Sequence, residues 1–234
     1  MKRLSNSAGR LKALGLLRND KRIITKFADM FGLVHFGFVS QHDDEHRIVR
    51  GMTLSTNHRD EHYCIGTYEN YDVIYVKRTD TLHTKTNKRT THTWHIMAFD
   101  LKTSRELPHF FVGFHDQSEE FYMRCFARFP AMRHLKLGHL SAYPPTFDVQ
   151  YRLFANPATS LEIEQIITPA IAATITTHFK GLSFEVTENT LLVYSEHSRI
   201  TMDLLETILK NGRWLAEALD HSATVSFADS AKDD

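Results

Sequence analysis

Residues 71–101 commit the chain to an antiparallel sheet. Tyr71 to Val76 and Thr93 to Leu101 are dense in β-branched and aromatic side chains, which fit a pleated, half-buried surface. Between them Lys77 to His92 holds six threonines and five cations and almost nothing apolar. Threonine favours extended backbone, so this stretch is expected to prolong the hairpin past the core, with Asn87 near the turn. Sequential strands in a hairpin pair antiparallel, and a long pair needs neighbours to cover its faces.

The flanking segments supply those neighbours. Residues 4–31 read as helix, because Leu17, Ile24, Phe27 and Phe31 recur at spacings of seven, three and four. Strands are expected over 32–40, near 46–54, over 62–68 and from Leu107 to Phe114. Asp116 and Glu119 form a capping-box pair that opens a helix over roughly 117–127. Tyr143-Pro144-Pro145 interrupts the pattern and is the expected boundary between two parts. Beyond it, Phe147 to Phe154 reads as a strand and Ser160 starts a short helix. Thr168 caps a further helix with Pro169 at its first position, its face formed by Ile171, Ile175 and Phe179, with Gly181 as its stop. Glu188-Asn189 joins two strands in a tight hairpin. A closing helix over 201–220 carries the stripe Leu204, Leu205, Ile208, Leu209, Leu215 and Leu219. The expected fold class is α+β, mainly antiparallel sheets with packed helices in two sheet-and-helix halves. The divisions are a basic helical arm at 1–31, a β-rich part at 32–142 containing hairpin 71–101, a β-α-β-β-α part at 147–220, and a tail at 221–234.

One pattern bears on metal chemistry. His42-Asp43-Asp44-Glu45-His46 and His58-Arg59-Asp60-Glu61-His62 both read H-x-D-E-H and so fit the inverted zinc-peptidase pattern. That chemistry needs both histidines on one turn of a helix. The flanks here favour strand: His46 to Leu54 is β-branched, and so is Tyr63 to Tyr68. Residues i and i+4 of a strand share a face at over twice the helical distance, and bind a metal only with help from a neighbouring strand. The expectation is two polar segments and no tight metal site, with His42, His46, His58 and His62 as the candidate ligands should that be wrong. His115-Asp116 reads as a capped strand end in preference to a catalytic pair. His92 and His95 are expected on opposite sides of their strand.

Charge marks a second candidate surface. The chain has 28 basic and 28 acidic residues. Eight of the bases (Lys2, Arg3, Arg10, Lys12, Arg18, Lys21, Arg22 and Lys26) fall within the first 28 residues against one acid, Asp20, so the remainder is acidic. Segregated charge points to an anionic partner or to docking on another acidic surface. Arg10, Lys12, Arg18, Lys21 and Arg22 of the arm, with Lys77, Arg78, Lys85, Lys88 and Arg89 of the hairpin, are the candidate contact residues. No base-stacking platform or groove-reading motif accompanies them, so a protein partner or self-association is favoured over nucleic acid or an anionic membrane surface.

Sixteen Phe, eight Tyr and two Trp suffice for a large core, and no apolar run approaches the ~18 residues of a membrane span. Two separate cysteines, Cys64 and Cys125, make no disulfide framework, and the N-terminus lacks the apolar segment of a signal peptide. A reducing, cytoplasmic setting is expected.

Ile167-Thr168-Pro169, followed by a hairpin that ends in Leu191-Leu192-Val193-Tyr194, resembles an uncharacterised family of bacterial domains of unknown function. The resemblance spans about a third of the chain. It implies an α+β fold and a bacterial origin, and it brings no activity and no functional residues. No P-loop, dinucleotide fingerprint, nucleophile elbow or kinase signature is present. The functional expectation is a non-catalytic protein-interaction or ligand-binding module without a cofactor. A zinc-dependent hydrolase built on the twin His motifs and an accessory factor for nucleic acid or anionic surfaces are the alternatives.

Overall fold

The computed structural model describes residues 19–37, 49, 58–83, 89–115, 118–126, 129–197 and 199–230. Nine strands of these residues form one antiparallel sheet in the order β1-β2-β3-β4-β9-β8-β5-β7-β6. The strands are β1 (Val34–Phe36), β2 (Arg59–Tyr68), β3 (Tyr71–His83), β4 (Arg89–Asp100), β5 (Phe110–Phe114), β6 (Arg133–Leu135), β7 (Tyr151–Ala155), β8 (Ser183–Thr187) and β9 (Thr190–Glu196). The helices are α1 (described over 19–31), α2 (Glu119–Cys125), α3 (Pro145–Gln150), α4 (Ser160–Ile166), α5 (Pro169–His178) and α6 (Met202–Ser230). The class is α+β. Parts before and after Tyr143-Pro144-Pro145 interleave in the sheet, because β4 pairs with β9 and β5 lies between β8 and β7.

Both faces of the central strands are buried, each by a different layer. Tyr75, Met97, Val193, Phe184, Val112 and Leu153 lie side by side across the sheet and pack beneath α1, α4, α5 and α6. Ile74, Ala98, Leu192, Phe111 and Phe154 point the other way, towards Tyr122, Cys125 and Phe126. The strands therefore read as nearly continuous apolar runs. Two hairpins close with two-residue turns in which both central residues have positive φ: Glu69-Asn70 (44°, 71°) and Glu188-Asn189 (49°, 56°). That geometry matches the right-handed twist of the paired strands, and Asn tolerates it. The hairpin β3–β4 runs to the pair His83↔Arg89, and Asn87 lies outside the described residues.

The second part follows the expected pattern with two exceptions. Thr168 Oγ1 accepts from the Ile171 amide at 3.3 Å, Pro169 opens α5, and Ile171, Ile175 and Phe179 are buried. Phe147 to Phe154, expected as strand, begins instead as α3 and turns into β7 only at Tyr151. Pro145 presets the φ of a first helical turn, and the Phe147 amide donates back to the Pro144 carbonyl. Phe147 then stacks on Tyr151, with ring centroids 5.5 Å apart, so the apolar run serves two elements. The closing helix continues past residue 220 to Ser230, and Ala223 is fully buried, so 221–230 is helix and not tail. At Gly212 a Cβ would meet the Phe99 ring at 2.3 Å, so only glycine lets α6 lie this close to β4. Helix α2 is capped by Ser118, whose Oγ accepts from the Phe121 amide at 3.2 Å. The strand expected near 46–54, the arm before residue 19 and Asp116 fall outside the described residues, save Val49.

Candidate functional site

The ten candidate cations separate into three groups. Lys21 and Arg22 lie exposed on α1. Lys77 and Arg78 are buried, which corrects the expectation that they belong to the hairpin's basic contact surface. The alternation of β3 sends them to opposite faces. Lys77 Nζ meets Asp20 Oδ2 of α1 at 2.5 Å. Arg78 Nε and Nη2 clasp both oxygens of Asp60 at 2.7 Å, Nη2 also donates to the Val49 carbonyl, and Tyr63 donates to the same carboxylate at 3.0 Å. A charge enters a protein interior only when paired and hydrogen-bonded, and these pairs are internal. Arg10, Lys12, Arg18, Lys85 and Lys88 lie outside the described residues, as does the side chain of Arg89.

The second H-x-D-E-H copy lies on a strand, as its flanks imply. Its acids are engaged within the fold: Asp60 holds Arg78, and Glu61 pairs with Arg59 at 2.7 Å. His62 sits at a bulge between Glu61 and Cys64 with φ 59°, and its amide donates to the Gly37 carbonyl at 2.8 Å. Its ring meets His35 of β1, a residue the sequence did not single out. His35 Nε2 and His62 Nδ1 are 3.3 Å apart, the rings stack at 5.5 Å, and His35 Nδ1 bonds Thr25 Oγ1 of α1 at 3.0 Å. Burial lowers the pKa of both rings, reinforced by Lys21 at His35 and by His35 and Lys77 at His62. His42 and His46 lie outside the described residues. No group of three or more His, Cys, Asp or Glu is placed to hold a metal ion among the described residues.

Other buried titratable side chains also have partners inside the fold. His92 and His95 do face opposite sides: His92 Nδ1 meets Glu196 Oε1 at 2.5 Å, whereas Tyr75 Oη and His95 Nδ1 are 2.9 Å apart. His95 Nε2 donates to the His197 carbonyl at 3.0 Å. Glu185 accepts from Tyr194 and meets His109 Nε2, each at 2.7 Å. Glu164 accepts the amides of Gly138, His139 and Leu140, which hold its pKa low although its burial opposes this. Cys64 is buried and its thiol is pushed up to about 12, far from a reactive thiolate.

Among the described residues, the β1 end of the sheet is one place where apolar side chains face outward. The two edges among the described residues are β1 and β6, three residues each. Strand β6 carries exposed Arg133 and His134, the charged dressing that discourages strand addition. Strand β1 instead exposes Val34 and Phe36, at 59% and 45%, and Met30 at the end of α1 is 54% exposed. Along α1 the neighbouring exposed charged residues are Lys21, Arg22, Lys26 and Asp29.

No protein-family model matches the chain, and no curated protein matches it. Among solved structures, the crystal structure of the mycobacterial trehalose monomycolate transport factor A, TtfA, superimposes with a TM-score of 0.58 over 85% of this chain and 93% of that one, at 12% identity. The likeness is one of fold. No helix among the described residues is long and apolar enough to cross a membrane.

Proposed function

We propose that this chain is a non-catalytic binding module that takes a protein partner at its β1 edge. The observation that carries this reading is the contrast between the edges: β6 is dressed with charge, whereas β1 presents Val34 and Phe36 to solvent beside the cations of α1. An extended partner segment added to β1 would gain main-chain hydrogen bonds, while acidic flanks would meet Lys21, Arg22 and Lys26. The fold shared with a protein named as a transport factor is in keeping with an accessory role of this kind. The burial of Lys77 and Arg78 in internal pairs weakens the nucleic-acid alternative, and the internal pairing of Asp60 and Glu61 weakens the hydrolase alternative.

The test is site-specific photocrosslinking in the source cell, with benzoylphenylalanine in place of Phe36. The expected result is a defined protein adduct that disappears when Val34→Lys is added, with the melting temperature unchanged. Sedimentation velocity at rising concentration identifies the case in which the partner is a second copy. Adducts indifferent to Val34→Lys refute the reading. So does submicromolar, salt-sensitive RNA binding that is lost when Lys21, Arg22 and Lys26 are changed to Glu, because steep salt dependence is the mark of phosphate neutralisation.

A further inference from the structure

Among the described residues, few contacts hold the β1 edge, and one of them is a pair of imidazoles. Three residues of β1 pair with β2, at Val34↔Ile65, His35↔Cys64 and Phe36↔Tyr63. Beyond these, the Leu33 amide donates to the Ala28 carbonyl at 2.8 Å, the His62 amide donates to the Gly37 carbonyl, and the His35 ring bridges Thr25 and His62. Helix α1 is anchored separately, by fully buried Ile24, Phe27 and Ala28 and by the Asp20–Lys77 pair. Opening of β1 is therefore a local event that leaves the core in place.

Proton accounting on the two rings decides when the bridge holds. A neutral imidazole has one N–H and one lone pair. With both rings neutral, one proton occupies the line between His35 Nε2 and His62 Nδ1, and Thr25 completes His35 from its other side. A single added proton is also accommodated: His62 Nδ1–H donates to His35 Nε2, and His35 Nδ1–H donates to Thr25 Oγ1. A second proton is not. It places two N–H groups facing each other at 3.3 Å and two positive charges in adjacent stacked rings. Among the described residues, the surroundings relieve this only in part. From α1, Lys21 opposes the charge on His35, and Asp29 offers partial compensation. From β3, Lys77 opposes the charge on His62, while Asp20 of α1 and Glu61 of β2 favour it, each already bound to a cation, Lys77 and Arg59. Cys64, opposite His35 in the register, stays a neutral thiol.

We propose that His35 and His62 form a proton-operated latch that holds β1 on the sheet while the pair carries at most one added proton and releases it when both rings are charged. The latch rests on the preceding section only for its use: it would let a partner bind β1 near neutral pH and lose its docking edge in acid. The sign follows from linkage. Both rings have folded pKa values below their ordinary 6.5, so the released form binds more protons, and β1 protection is full above pH 6.5 and falls below it.

Amide hydrogen exchange on the intact chain between pH 7 and pH 5, corrected for intrinsic rates, reads the latch directly. The reference is the protection of β9 amides, which removes any global change. The expected result is that protection of the β1–β2 amides falls roughly tenfold more than that of β9, the proton that charges the second ring being the one linked to opening. In His62→Asn, whose side chain tolerates the left-handed backbone, the extra loss should vanish. His35→Gln serves as the second variant should the first fold poorly. Unchanged β1 protection at pH 5 in the natural chain overturns the latch, and so does an equal loss in both variants. The Phe36 crosslink separates the two readings: β1 opening at pH 5 with the crosslink undiminished keeps the latch and refutes β1 as the docking edge.

Discussion

His95 offers a quantitative check on the buried polar layer. The ring is fully buried on β4. Its Nε2–H donates to the His197 carbonyl, and Nδ1 accepts from the Tyr75 hydroxyl, so the neutral tautomer already has both bonds it needs. Adding a proton at Nδ1 costs desolvation, and Lys77 adds repulsion, which together lower the pKa from 6.5 to about 4. In the unfolded chain the same group titrates near 6.5, so the unfolded state takes the proton first as pH falls. Its contribution to stability is complete above pH 6.5 and is lost progressively down to about pH 4. Between pH 7 and pH 5 this single ring should remove about 2 kcal/mol of unfolding free energy, at ~1.4 kcal/mol per pH unit across most of the interval. Most carboxylates titrate below that window, which makes the interval selective for histidine. Urea unfolding followed by circular dichroism at pH 7, 6 and 5 would measure it in the natural chain and in His95→Gln. The variant starts less stable, but its loss over the interval should be smaller by about 2 kcal/mol. Equal losses in the two proteins would refute the claim that His95 is held neutral inside the sheet.

Two further measurements test the remaining architecture. Asp60→Asn leaves the Arg78 guanidinium buried without its counter-charge and should cost about 3–5 kcal/mol in chemical unfolding; a loss near zero would mean that Arg78 reaches solvent. Thr168→Ala should cost about 1 kcal/mol through the lost cap, and Ile175→Ala about 2–5 kcal/mol through the cavity left beneath α5, with equal and negligible losses telling against this placement of the helix.

The TtfA superposition supports the architecture without extending to chemistry, since at 12% identity the side chains of the two proteins are largely unrelated. A fold hosts many functions, and the function of this chain has to be argued from its own surface. Among the described residues, the β1 edge lacks the charged side chains that usually protect an isolated sheet edge.

Local rules determined a good deal here. The Thr168-Pro169 start of α5, the Glu188-Asn189 turn, the α6 stripe and the β3–β4 hairpin are all set by forces acting within a few residues: a hydroxyl meeting an orphan amide, a turn whose twist matches its strands, and periodic apolar side chains. Even the doubt about the H-x-D-E-H copies was local, because β-branched neighbours favour strand over helix. The fates of Lys77, Arg78, His35 and His62 were decided elsewhere. Nothing near residue 77 indicates that Asp20 will lie across it, nor does anything near 78 name Asp60 as the partner, so Lys77 and Arg78 read as exposed when they are buried on opposite faces of the sheet. His35 is one unremarkable residue in a short strand until strand pairing and a bulge bring His62 against it. Charge pairing and proton sharing depend on separation in space, and over gaps of 18, 27 and 57 residues that separation is set by the packed sheet and not by the spacing of residues along the chain.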